Sequence, residues 1–237
     1  MADPFGRALL DYARGEQDAP LYQRDGDERL VHPVGDFYFD EFAEQPAAEW
    51  TESLLHGPLL DAGAGAGRDA LHFQERFETV ALEVSDHLVE LLDRRGVEQV
   101  LKGDLFALPE TFDRDRFRSI LVVGTQIGLA GSINGLRILF EAFATVTTAD
   151  GTVVLDAYDP TYDGGDDLLG FSSSPEPGVA YREIRYEYEG AVGDSLRILL
   201  FSPERLRDAT AGTDWRVAEI ERPHDAYYYR AALRKSQ

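Results

Sequence analysis

A chain of 237 residues with 44 acidic against 23 basic side chains and no cysteine is long enough for one large core, but it excludes disulfides, thiolate metal sites and a cysteine nucleophile. No apolar run approaches the ~20 residues that cross a bilayer, and Met1-Ala2-Asp3-Pro4-Phe5 lacks a basic segment followed by an apolar core, so the expectation is a soluble, cytoplasmic protein. The net charge of −21 is dispersed, and lysine is confined to Lys102 and Lys235; such an acidic surface suits the cytoplasm of a halophile, where the Debye length falls to about 3 Å and self-repulsion is screened.

The first fifty residues open with an amphipathic stretch from Phe5 to Tyr12, pass through the polar segment Gln23-Arg24-Asp25-Gly26-Asp27-Glu28, and close on the aromatic group Phe37-Tyr38-Phe39 before Phe42. Because they precede the first strand they read as a cap, residues 1–53. A helical pattern runs from Ala47 to Leu55 up to Gly57-Pro58. Then Leu59-Leu60-Asp61-Ala62-Gly63-Ala64-Gly65-Ala66-Gly67-Arg68 describes a strand turning sharply into a helix that continues to Phe73–Phe77. Closely spaced glycines there allow backbone conformations that a Cβ forbids, and let a ligand approach the main chain.

Strand and helix then alternate: Thr79 to Val84, Asp86 to Arg95, Val100 to Leu101. A fourth strand, Ser119 to Gly124, leads into Thr125-Gln126-Ile127; a helix follows from Ile133 to Ala144, and a fifth strand from Gly151 to Ala157 ends at Tyr158-Asp159-Pro160. This alternation predicts a parallel sheet. Tyr181 to Tyr188 and Ser195 to Phe201 read as a hairpin about Gly190–Asp194, inside an insertion at about 161–201; Ser202-Pro203 starts a helix, and Trp215–Arg222 with Tyr227–Arg234 form a closing antiparallel pair.

The glycine spacing discriminates between cofactors. The dinucleotide pattern G-x-G-x-x-G is not met: counted from Gly63 its third glycine falls on Arg68, and after Gly65 the chain reads Gly67-Arg68-Asp69-Ala70. What stands is D-x-G-x-G-x-G from Asp61. Strand two ends in Glu83, about 20 residues on, where a carboxylate suits two ribose hydroxyls, and strand three ends in Asp104. Taken singly, Asp61 suits a cap, and Glu83 or Asp104 an ordinary solvated acid.

Together these segments resemble the class I S-adenosylmethionine-dependent methyltransferases, over roughly Leu54 to Arg234. The resemblance implies an α/β fold with a doubly wound, mostly parallel seven-stranded sheet whose last strand is antiparallel, here with an N-terminal cap and a β-hairpin insertion after strand five, on the substrate side of a core spanning 54–237. It implies a cofactor site of Asp61, Ala62, Gly63, Ala64 and Gly65 around the methionine and ribose, Glu83 and Val84 at the ribose, Asp104 with Leu105 at the adenine, and Gly124 and Thr125 at the tip of strand four. Arg68 either reaches the methionine carboxylate or pairs with a surface acid.

Departures narrow the chemistry. Gly124-Thr125-Gln126-Ile127 stands where nucleic-acid amino-methylating enzymes carry an Asn or Asp, two prolines and an aromatic, and where metal-dependent catechol-type enzymes carry an aspartate. The paired glutamates of arginine-methylating enzymes are missing too. Among five histidines there is no H-x-x-x-H or H-E-x-x-H spacing, so no metal is expected; His32, His56 and His224 lie at element ends, and none is given a catalytic role. The expected activity is methyl transfer to a small-molecule acceptor by proximity and orientation, with S-adenosylhomocysteine as product and Gln126 and Tyr38 as candidate acceptor-orienting groups. Phe37, Tyr38 and Phe39 suit core packing as well as an acceptor wall. The alternatives are a non-catalytic S-adenosylmethionine-binding regulatory module, or an RNA or protein methyltransferase, for which no basic stripe or added recognition domain is visible. Nucleic acid and membrane partners are disfavoured, and a monomer or homodimer is expected.

Overall fold

The computed structural model describes residues 2–164, 166–223 and 227–236, so His224 lies outside the described residues. Helix α1 (Pro4–Arg14) is capped by Asp3, whose Oδ1 accepts the Gly6 N–H at 2.9 Å, and ends on left-handed Gly15. Strands β1 (Tyr22–Asp25) and β2 (Glu28–Val31) follow, then α2 (Val34–Tyr38) and α3 (Ala48–Leu54). The alternating part comprises β3 (Leu59–Ala62), α4 (Arg68–Gln74), β4 (Thr79–Glu83), α5 (Asp86–Arg95), β5 (Val100–Lys102), α6 (Leu108–Thr111), β6 (Phe117–Val122), α7 (Ile133–Val146) and β7 (Thr147–Tyr158). Beyond it lie β8 (Phe171–Ser173), β9 (Val179–Tyr188), β10 (Ala191–Val192), β11 (Leu196–Phe201), α8 (Pro203–Thr210), β12 (Trp215–Glu221) and β13 (Tyr228–Lys235).

The main sheet has seven strands in the order β12-β13-β7-β6-β3-β4-β5, and β13 alone runs antiparallel to the rest. Period-two alternation divides its strands between two apolar layers. Leu60, Ile120 and Val153 point into a core with Phe140 and Phe143 of α7, while Leu59, Leu121 and Val154 meet Phe73 of α4 and Leu54 of α3 on the other face. Each such side chain, fully buried, contributes about 1.5–3 kcal/mol of transfer free energy. A sheet covered on both faces leaves its strand ends as the place for polar chemistry.

The polar segment Gln23–Glu28 is a correction to the sequence reading. It forms a hairpin: β1 and β2 pair with Asp25 opposite Glu28, and β1 also pairs with β9, Gln23 lying opposite Tyr186. Neither strand shows a buried-exposed alternation, and β2 is exposed throughout, so no period-two signal marks them. They join β8, β9, β10 and β11 in a second, six-stranded sheet. This sheet stands against the carboxyl end of the main one: Tyr158, at the end of β7, packs with Ile184 and Tyr186 of β9, and Ile198 of β11 abuts Gly128.

Candidate functional site

The turn after β3 brings the first group of polar residues together. Gly63 and Ala64 donate their N–H groups to the Leu82 carbonyl at 2.9 and 3.2 Å, which ties the glycine loop to β4. The glycines differ in what they face. Gly67 (φ +81°) abuts α5, and a Cβ there would lie 2.5 Å from Leu92 Cδ2, so its requirement is helix packing, not ligand approach. Gly65 (φ +59°) has open space beside it, with Tyr38 Cδ1 as its nearest neighbour, 3.9 Å from where a Cβ would sit.

Two acids lie buried beside this opening. Glu83 is 7% exposed at the end of β4; its Oε1 accepts the Gly65 N–H at 2.7 Å and its Oε2 the Val84 N–H at 3.0 Å. Burial raises its pKa against the lowering effect of the Gly65, Val84 and Ser85 N–H groups. Asp61 is buried more deeply still. Burial, with the charges of Asp69 and Glu83, raises its pKa well above the usual carboxylate range, while Arg68 acts in the opposite sense. Among the described residues its Oδ2 has no hydrogen-bond partner, and neither has the buried Nε of Arg68. The other end of Arg68 is held by the Phe37 carbonyl at 2.8 Å and by Asp69 at 3.3 Å. The third acid, Asp104, is exposed at the end of β5 and caps the following turn by accepting the Phe106 N–H at 2.9 Å, with Leu105 buried beside it.

The exit of β6 supplies the second group. Thr125 adopts a left-handed conformation (φ 62°), and the Gln126 side chain lies against Gly63. The loop is held by a residue that the sequence reading passed over. Asp156 of β7 accepts the Thr125 N–H on Oδ1 at 2.6 Å and the Gly124 N–H on Oδ2 at 2.8 Å. Its Oδ2 also takes the Tyr228 hydroxyl at 2.9 Å, and Arg230 bonds that hydroxyl and Thr51 of α3. Burial raises the Asp156 pKa, opposed first by Arg230. The one local signal was an acid inside the apolar run Val153-Val154-Leu155-Asp156-Ala157.

Tyr38 belongs with the glycine loop, as its place beside Gly65 indicates. Its hydroxyl stands 2.8 Å from Nε2 of His32, and Phe5 and Tyr186 pack around the pair. Burial, then the charge of Arg182, lowers the His32 pKa to about 4, so the ring is neutral at pH 7 and able to accept the Tyr38 proton in a hydrogen bond. Burial raises the Tyr38 pKa well above its ordinary value, which keeps the phenol protonated. His56 lies apart from the site: it precedes β3, at the opposite end of the sheet. Among the described residues no three His, Asp or Glu side chains are grouped to hold a metal, and no helix is long and apolar enough to cross a membrane.

No family model and no curated protein sequence matches the chain. Solved structures do. An S-adenosylmethionine-dependent methyltransferase from Bacteroides fragilis, in complex with S-adenosyl-L-homocysteine, is similar with a TM-score of 0.82 and 23% identity, over 99% of this chain and 95% of that one. The amino pentose methyltransferase CalS10 from Micromonospora echinaspora has a TM-score of 0.59 at 18% identity, over 89% of this chain and 100% of its own. The 1,6-didemethyltoxoflavin-N1-methyltransferase of Burkholderia thailandensis has a TM-score of 0.55 at 15% identity, over 100% of this chain and 92% of its own. At these identities the likeness establishes a common fold, that of the class I methyltransferases.

Proposed function

We propose that the chain is an S-adenosylmethionine-dependent methyltransferase acting on a small-molecule acceptor. The observation that carries this reading is the pair of buried atoms, at the two ends of the glycine loop, that have no partner among the described residues: Asp61 Oδ2, an acceptor, at the end of β3, and Arg68 Nε, a donor, at the start of α4. Buried polar atoms without partners are costly, on the order of 1–3 kcal/mol each. An α-amino acid end, with an ammonium and a carboxylate, has the complementary groups. Glu83 and Asp104, at the ends of the next two strands, suit the ribose and adenine portions, with Val84 and Leu105 as apolar neighbours. The shared fold with a methyltransferase complexed with S-adenosyl-L-homocysteine supports the same reading.

When bound, S-adenosylmethionine supplies a methyl group already activated on a sulfonium. The protein then has to orient an acceptor lone pair and keep water out. In this reading the acceptor is oriented by Tyr38, which lies beside Gly65 with its hydroxyl anchored by His32, and by Gln126, which lies against Gly63. Residues 1–53 and the segment at about 161–201 enclose the acceptor side in this reading, and the dispersed acidity reflects a halophile's cytoplasm. A base is needed only where the acceptor must shed a proton.

The test is calorimetric titration in molar potassium chloride with S-adenosylmethionine, S-adenosylhomocysteine and NAD. Micromolar binding of the first two, with none of NAD, is expected. Absence of binding by both sulfur ligands overturns the proposal.

A further inference from the structure

Strand β9 places Arg182, Ile184, Tyr186 and Tyr188 on one face of the second sheet, and Arg182 is only 9% exposed there. Its Nε donates to the Leu169 carbonyl at 2.8 Å and its Nη2 to Gln23 Oε1 at 2.7 Å. Both partners are neutral. Among the described residues no carboxylate stands within ion-pair distance of the guanidinium, although the chain has 44 acidic residues. Nη1 makes no hydrogen bond to any described residue. The other buried arginine, Arg230, is differently placed, since the charges of Asp156 and Asp69 both act on it. A buried guanidinium without a counter-charge is expensive, and folded chains rarely leave one unless something else supplies the anion.

The surroundings indicate what supplies it. Gln23 passes the contact on by donating its amide to the Tyr186 hydroxyl at 3.2 Å, and the Tyr186 ring packs with Phe5 and His32, the two rings that also flank Tyr38 over Gly65. The charge of Arg182 also acts on Tyr158, at the end of β7, and on His32. The titratable groups that feel the guanidinium are therefore His32 from the segment before α2, Tyr158 from β7 and Tyr186 from β9, none of them an acid at neutral pH. Tyr38 adjoins Tyr186 and Tyr158 in turn, so that the three phenols connect the cation to the residue over Gly65. Arginine, with a planar fork of N–H donors, matches a carboxylate better than any other side chain does.

We propose that Arg182 binds a carboxylate carried by the methyl acceptor, whose planar body lies among Tyr38, Tyr158 and Tyr186. This rests on the methyltransferase reading and adds the acceptor's chemical class: an organic acid. The long-range field of a chain with net charge −21 repels such a ligand, so its recognition depends on this local cation.

Benzoate and benzamide are matched probes, alike in shape and different in charge. Each is titrated into the intact protein with and without S-adenosylhomocysteine, at about 0.1 M salt, where screening is moderate. Benzoate is expected to bind at least tenfold more tightly than benzamide, and Arg182→Gln to abolish that preference while leaving S-adenosylhomocysteine affinity within about twofold. Equal binding of the two probes by the unsubstituted protein overturns the proposal without recourse to any variant, and so does a preference that survives in Arg182→Gln. Loss of S-adenosylhomocysteine binding by the unsubstituted protein is a separate result: it sinks the methyltransferase reading, and with it the identity of the anion as an acceptor, whatever benzoate does.

Discussion

Asp156 of β7 reaches across to the loop that leaves the neighbouring strand β6: its carboxylate accepts the backbone N–H of Thr125 at 2.6 Å, and that of Gly124 at 2.8 Å. A side chain thereby fixes a main-chain loop that a parallel ladder cannot reach, with Thr125 held at a φ of 62°. Asp156→Asn offers one acceptor oxygen where two are used, and turns an amide toward a donor. We expect a loss of about 2–3 kcal/mol in urea unfolding, since hydrogen bonds to a charged acceptor are at stake. Weaker S-adenosylhomocysteine binding should accompany it; unchanged stability and affinity together would show that the loop keeps its shape unaided.

Glu83 has two tasks, holding the Gly65 N–H and presenting a carboxylate beside it. For Glu83→Ala we expect S-adenosylhomocysteine affinity to fall by about 1–3 kcal/mol, roughly ten- to a hundredfold, measured by calorimetry. An affinity unaltered by the change would remove Glu83 from the ribose assignment.

His32 has a folded-state pKa of about 4, below its ordinary value of 6.5. The unfolded chain therefore binds a proton more readily than the folded one between those two values. The stability that His32 contributes is complete above about pH 6.5 and is lost as pH falls toward 4, amounting to about 2 kcal/mol between pH 7 and pH 5. Denaturant unfolding at those two pH values, compared with His32→Gln, isolates this part; an identical pH slope in the variant would contradict it.

Gly67→Ala should destabilise the fold by about 1–3 kcal/mol, because it combines a left-handed backbone with overpacking. The added methyl would meet Leu92 at 2.5 Å, while the space beside Gly65 stays open. Thermal unfolding reads the first effect. Calorimetry on the folded fraction should find S-adenosylhomocysteine affinity nearly intact, which a ligand role for Gly67 would not allow.

Salt should stabilise the protein. With 44 acids against 23 bases and charge spread along the chain, self-repulsion weakens as the Debye length shrinks from about 10 Å at 0.1 M to about 3 Å at 1 M. A melting temperature that does not rise over that interval of potassium chloride would argue against adaptation to a saline interior.

How much was legible in the sequence follows from the range of each interaction. The glycine loop and the acids at the ends of strands two and three are local features, written within a few residues of a strand end; the alternation of apolar runs with helical patterns predicts a parallel sheet, and the resemblance to the class I methyltransferases supplies its seven strands. The hairpin at Gln23–Glu28 was read as a polar segment because its pairing partner, β9, is distant in the chain and its strands are too exposed to alternate. In the sequence Gly67 is one of three closely spaced glycines, and only the fold sets Leu92 against it. Asp156 looked like one more strand residue, since nothing in its neighbours says that Thr125 will be beside it.

The sequence by itself therefore determined the sheet, the position of its glycine turn and the order of acids along its edge, since these depend on periodicity and on backbone conformations that few residues adopt. Only the tertiary structure decided which polar groups, among the described residues, are left without a hydrogen-bond partner or a counter-charge. Asp61 Oδ2 and Arg68 Nε lack the first, and the guanidinium of Arg182, bonded only to neutral groups, lacks the second once the chain is packed. That absence depends on every neighbouring element at once, and no local pattern encodes it.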